Sequence, residues 1–222
     1  MEKPFLLHMI TSEKNTSPFD ANMAFDAGWD SIIPYTDVGM DEIQALVQDT
    51  IFSRSTSALK RTGIFIGGRD SHLAMDMIVE AKKHMVPPFE VPVFADPSGA
   101  FTTAAGMVAI TEKALKDKFS ENFSGKKVVI LGGTGPVGVA SAVISAKAGN
   151  DVLLVGRSLE KAETIAGICN DKYGSKSVTG AVDSEKADFL SDADVVFNTG
   201  AAGIQLMDDT LIANASNLKI CA

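Results

Sequence analysis

The stretch that decides the fold is KVVILGGTGPVGVASAVISA, residues 127–146. Lys127 opens a run of four apolar residues rich in β-branching, which suits a strand buried on both faces. Gly132, Gly133, Gly135 and Gly138 follow, with Pro136 among them. No charge occurs from Val128 to Ala146, about the length of a bilayer span. Glycines and a proline near the middle break any such helix. The stretch predicts a buried strand (127–131), a turn, and a helix from Pro136 to Ala148.

The spacing Gly133-Thr134-Gly135-Pro136-Val137-Gly138, after a strand and before a helix, carries a physical meaning that the bare pattern lacks. Gly133 permits a tight turn, Gly135 leaves room for a pyrophosphate, and Gly138 lets the helix pack closely on the strand. The first helical N–H groups then face the phosphates. The plainer alternative is a glycine-rich turn with no nucleotide. A second strand, DVLLVG (151–156), ends at Arg157-Ser158, with Lys161 one turn later. NAD sites usually carry an acid there. Arg157 can instead pair with a 2′-phosphate in a fork, and Ser158 can donate to it, which points to NADP. The competing reading is a solvated surface. Thr199-Gly200-Ala201, after a strand at 193–200, are small residues suited to lie against a nicotinamide ribose.

Outward from this core, apolar strand-like runs alternate with helical ones, the pattern of an α/β fold with mostly parallel sheets. Strands are expected at 4–10, 31–36, 63–67 and 91–96. Helices are expected from Ser17-Pro18 towards Gly28, from Asp41 (with Ile43, Leu46, Val47, Thr50 and Ile51 on one face), from Ser71 to Met85 and from Thr102 to Phe119. Pro34 marks the second strand as an edge or an early end. The polar stretch 120–127 suggests a boundary between a substrate domain (1–122) and a doubly wound Rossmann-type domain (123–222). In the second domain, a helix at 159–173 and strands at 176–182 and 217–222 complete the pattern. The chain stops inside a strand-like run, so further sequence is expected to cover that edge.

Composition fits a globular α/β protein. Of 222 residues, 45% are apolar and 22% charged, and the formal net charge is −8. No basic block is present, which argues against nucleic-acid or anionic-membrane binding. Cys169 and Cys221 make no disulfide framework and no zinc spacing, so no metal is expected. The opening MEKPFLLHMI is too short in apolar length for a signal peptide, and a cytoplasmic setting is expected. No GxSxG, HExxH or Cys–base pair occurs. His8, His72 and His84 read as structural or solvated, Cys169 as core and the nine methionines as core fillers.

The ends of the first-domain strands are richer. Ser17-Pro18-Phe19-Asp20, Gly67-Gly68-Arg69-Asp70 and Asp96-Pro97-Ser98-Gly99 through Thr102 and Thr103 all follow strands, where α/β sheets bind ligands. Each is also explicable as helix capping. Their coincidence on one edge marks Ser17, Gly68, Asp70, Ser98, Gly99, Thr102 and Thr103 as candidate substrate contacts, with Asp20 and Asp96 as candidate catalytic carboxylates.

These segments, SPFD (17–20), GGRD (67–70), DPSGAFTTAAG (96–106), GTGPVG (133–138), GR (156–157) and TGAAG (199–203), resemble the NADP-dependent methylenetetrahydromethanopterin dehydrogenases of methylotrophic bacteria. Some of these also use methylenetetrahydrofolate. The resemblance runs the whole length, and DxxGxxTTAAG carries its specificity. It implies a reduced pterin held in the cleft between the domains, Arg157 on the 2′-phosphate, a homo-oligomer and sequence continuing beyond Ala222. Two alternatives stay open: another two-domain NADP oxidoreductase, of the folate dehydrogenase-cyclohydrolase or shikimate type, and a non-catalytic NADP-binding module. The former type usually offers a first-domain lysine, for which Lys60 is an awkward candidate.

Overall fold

A computed structural model describes residues 2–222. It forms two compact units, one running to Gly99 and one beginning at Ala100. In the first, β1 (Leu6–Ile10) leads to α1 (Pro18–Asp26) and β2 (Ser31–Tyr35). Next come α2 (Ile43–Phe52), the short α3 (Thr56–Leu59) and β3 (Thr62–Ile66). Then α4 (Ser71–Lys83) and the three-residue β4 (Val93–Ala95) close the unit. All strands are parallel, in the order β2-β1-β3-β4. The proline-bearing β2 lies at an edge, as a strand lacking one N–H should. β4 is shorter than the expected 91–96 because Pro92 has no N–H to give, although its carbonyl still accepts from Ile64 N at 2.9 Å.

Local signals explain the helix starts. Ser17 Oγ accepts from Asp20 N ahead of Pro18, and the Asp70 carboxylate accepts from His72 N and Leu73 N at the head of α4. Leu7, Met9 and Ala24 pack with Trp29, Ile32 and Phe65 on one face of the sheet. Ile43, Val47 and Ile51 of α2 and Ala74, Met77 and Ala81 of α4 are buried as well.

The second unit starts with α5 (Ala100–Ala114), which continues into a π-type turn, Leu115–Phe119, stopped by left-handed Ser120. β5 (Lys127–Leu131), α6 (Pro136–Lys147), β6 (Asp151–Gly156) and α7 (Leu159–Asp171) match the predicted elements closely. β7 (Val178–Val182), α8 (Lys186–Leu190), β8 (Val195–Asn198), α9 (Asp209–Asn214) and β9 (Ile220–Cys221) complete it. The five strands are parallel in the order β7-β6-β5-β8-β9. Both sheet faces are covered. Val128, Ile130, Val152, Leu154 and Phe197 join α5, α6 and α7, while Val129, Leu131, Val155 and Val196 join Leu190 and Met207.

The units divide about one helix before the expected 122/123 boundary. Val108 and Leu115 from α5 and its extension, and Phe123 beyond them, are buried in the second unit's core. The polar stretch is tied down too, since Glu121 pairs with both Lys126 and Lys219. No helix among the described residues is long and apolar enough to cross a membrane.

Leu154 of β6 is fully buried in the second core, on an inner strand of the sheet. Leu154→Ala is expected to lower stability by about 2–5 kcal/mol, read as a fall in the urea midpoint.

Candidate functional site

Each sheet has one place where successive connections leave in opposite directions, and loops part there to open a crevice at the strands' carboxyl ends. In the second unit this place lies between β5 and β8. The turn after β5 is built by close backbone approach. Gly133 N donates to Val155 O at 2.8 Å, and a Cβ at Gly138 would lie 2.5 Å from Gly133 Cα and O. Gly132, at φ +70°, faces the β8 loop so closely that a Cβ would come within 2.8 Å of Gly200 Cα and N. Thr199 adds two bonds to Leu131 O, from its N and its Oγ, at 2.9 and 3.0 Å.

Gly135 is different. A Cβ there would meet only Gly132 O, at 3.6 Å, and the φ of −84° suits any residue. The protein's own packing does not demand glycine there, which leaves the space beside Gly135 open to a ligand. α6 has no side-chain cap at this end, so Pro136 and Val137 open a helix whose first N–H groups are left for a ligand. Thr134 packs beside Gly156, whose Cβ would meet Thr134 Cγ2 at 2.8 Å. Arg157, Ser158 and Lys161 are exposed just beyond. Ser158 Oγ caps α7 by accepting from Lys161 N, which leaves its hydroxyl proton to donate. Arg157 has no ion pair or side-chain hydrogen bond among the described residues. Gly200 N donates to Asn198 Oδ1 at 3.3 Å, and Ala201 is exposed. The residues present therefore fit a dinucleotide.

In the first unit the crevice falls between β1 and β3. A cavity of about 390 Å³ opens there, lined by Glu13, Lys14, Asn15, Thr16, Ser17, Pro18, Asp20, Gly68, Arg69 and Ser98. Four of the expected residues meet in it: Ser17, Asp20, Gly68 and Ser98. Ser98 holds a left-handed backbone (φ 55°) and donates from Oγ to Gly68 O at 3.3 Å, tying the β4 loop to the β3 loop. The half-buried Asp20 sits over Gly67, where a Cβ would be 3.2 Å from its Oδ2. Burial, and next the Asp96 carboxylate, raise the Asp20 carboxyl above its ordinary value of 3.8. The two acids are thus close enough to interact, although Asp96 does not line the cavity.

Asp70, Gly99, Thr102 and Thr103 are not among the lining residues. Asp70 caps α4, Gly99 N closes a turn on Asp96 O, and the two threonines stand exposed on the first turn of α5 in the second unit. Sequence reading passed over Lys14, Asn15, Thr16 and Arg69 as contacts. Their composition carries no signal, and only their place in the loops after β1 and β3 does.

Known proteins bear on this geometry. Over 220 residues the chain is 43% identical to the NAD(P)-dependent methylenetetrahydromethanopterin dehydrogenase of Methylorubrum extorquens, a match covering 98% of this chain and 74% of that protein. The chain belongs to the methylenetetrahydromethanopterin dehydrogenase family. The family pattern described as methylene-tetrahydromethanopterin dehydrogenase, N-terminal, matches residues 18–98, all within the first unit of this family member. Bifunctional protein MdtA of the same organism is 36% identical, over 98% of this chain and 75% of its own length. Among solved structures, quinate dehydrogenase from Corynebacterium glutamicum in complex with NAD shares the fold, with a TM-score of 0.54 at 15% identity over 95% of this chain and 77% of its own.

Two glycine substitutions separate packing from binding in this dehydrogenase. Gly138→Ala is expected to cost about 1–3 kcal/mol of stability through overpacking. Gly135→Ala should cost at most about 1 kcal/mol, the cap preference alone, yet abolish NADP binding. Thermal denaturation with and without NADP reads both effects.

Proposed function

We infer that this protein transfers a hydride from the methylene carbon of methylenetetrahydromethanopterin to NADP, giving the methenyl form in one-carbon metabolism. The observation that carries the reading is the 43% identity across nearly the whole chain. The reading extends to methylenetetrahydrofolate as a second donor, to a homo-oligomer and to a cytoplasmic setting, which the family resemblance supports.

The C–H bond breaks with both electrons leaving, and the carbon remains as a methenyl cation shared between two nitrogens. No proton moves, and no covalent nucleophile is needed. NADP, when bound, supplies the carbon that takes the hydride. Gly133, Thr134, Gly135, Pro136, Val137 and Gly138 would hold its pyrophosphate. Arg157, Ser158 and Lys161 would hold the 2′-phosphate, and Thr199, Gly200 and Ala201 would face the nicotinamide ribose. In the first unit, Ser17, Gly68 and Ser98 would hold the pterin, whereas Gly99, Asp70, Thr102 and Thr103 lie outside the cavity lining. The protein's task is to hold donor and acceptor carbons about 3–3.5 Å apart.

Asp20 and Asp96 would stabilise the cation. In the free protein the Asp20 charge is disfavoured by burial and by Asp96. A positive charge developing beside the pair relieves that repulsion, so the interaction strengthens as the hydride departs.

Two substitutions test the reading. Arg157→Ala is expected to weaken NADP binding about 10- to 150-fold by removing charge-assisted hydrogen bonds, with NAD binding unchanged in titration. Asp20→Asn is expected to lower kcat about 100-fold or more while leaving the NADP Kd intact. The raised carboxyl also sets a sign. Its stabilising contribution is complete below 3.8 and is lost as pH rises through the folded value. Relative to wild type, Asp20→Asn should therefore gain in Tm between pH 4 and pH 7.

A further inference from the structure

The first-unit cavity holds two cations that the reaction chemistry above does not use. Lys14 lies in the loop after β1, and Arg69 in the loop after β3. Both are exposed, and neither has an ion pair or side-chain hydrogen bond among the described residues. The loops are in contact, because a Cβ at Gly68 would meet Thr11 Oγ at 3.4 Å and reach Ser12 and Glu13 within 4 Å. Gly68 itself takes φ +116°, a conformation that a side chain would strain. Arg69 is thus placed on the same cavity as Lys14 by a backbone feature, not by chance proximity of flexible surface groups.

The cavity's acid does not account for them. Burial and next Asp96 raise the Asp20 carboxyl, and neither Lys14 nor Arg69 forms an ion pair with it among the described residues. Glu13 also lines the cavity and forms no ion pair with either group among the described residues. Lys14 and Arg69 are thus two exposed cations at one opening, without an ion-pair partner among the described residues and each free to take an anion directly, although Glu13 and Asp20 balance their charge over the cavity as a whole.

We propose that Lys14 and Arg69 bind the acidic tail of the reduced carrier, its carboxylate or phosphate groups, and so set affinity for the carrier. This rests on the proposed function, since it takes the cavity as the carrier's site. Tetrahydrofolate carries glutamyl carboxylates, and tetrahydromethanopterin carries a phosphodiester and carboxylates. Arg69 can engage either in a planar fork, whereas Lys14 acts as a point charge. Both contacts are at the surface, so each is weak alone and sensitive to salt. The tail would contribute to binding and not to the hydride step, which makes these residues specificity determinants and not catalytic ones.

The test compares wild type with Lys14→Gln, Arg69→Gln and the double variant. Equilibrium binding of tetrahydrofolate, tetrahydromethanopterin and tail-less 6-methyltetrahydropterin is measured at low and high salt, alongside steady-state kinetics with the methylene forms. Each single variant should weaken carrier binding about 3- to 10-fold, and the double variant more. Binding of 6-methyltetrahydropterin, KM for NADP and kcat should stay unchanged, and salt should weaken carrier binding in wild type more than in the double variant. Equal loss of both carriers indicates shared anion recognition, and a larger loss for one assigns the tail that the site prefers. Unchanged carrier affinity, equal loss of the tail-less pterin, or a raised KM for NADP would overturn the proposal. Carrier binding with these effects but no turnover in wild type would refute the hydride-transfer reading and leave the tail site standing. Failure of wild type to bind any carrier would sink both.

Discussion

Parallel strands cannot be joined by tight turns, so every connection must cross the sheet and return. That constraint governs both halves of this protein. Where the connections change direction, between β1 and β3 in one sheet and between β5 and β8 in the other, loops and helix ends face open space instead of each other. Polar backbone groups that would be costly to bury gather there, and they can be satisfied by a ligand. The glycine turn in one unit and the cavity beside Asp20 in the other are two outcomes of the same topology.

The two places are built by different means. The glycine turn depends on backbone meeting backbone, with Gly133 against Gly138 and Gly132 against Gly200 too close for any side chain. Such contacts allow little adjustment, which suits a site that must present N–H groups in fixed directions. The first-unit cavity is bounded by loops tied at a few points, such as Ser98 Oγ to Gly68 O and the Ser17 cap on α1. It suits a larger ligand recognised through side chains and charge.

Electrostatics differ between them in the same way. The turn offers partial positive charge from unsatisfied helix N–H groups, and Arg157 lies nearby at the end of β6. The cavity combines an acid whose charge burial disfavours with two cations that form no ion pair with it among the described residues. A ligand that brings positive charge near Asp20 and negative charge near Lys14 and Arg69 relieves both conditions. That arrangement describes a carrier becoming a cation at one end while remaining an anion at the other.

The sequence alone determined the features that rest on local chemistry. β5 and β6 are legible to the residue as apolar runs, and α1 and α4 begin where Ser17-Pro18 and Asp70 cap them. Pro34 marked an edge, and the glycine spacing marked a turn between strand and helix. The short α8 and α9 were not foreseen, since five or six residues carry too little periodicity to read. Tertiary structure alone decided the rest. Packing of Val108 and Leu115 into the second core moved α5 across the expected domain boundary. Strand order brought the loop at 13–17 beside Gly68 and Arg69, and it set the Asp96 charge against Asp20. Such pairings join residues dozens of positions apart, and no local propensity records them; they exist because hydrogen bonding puts β1 and β3 side by side.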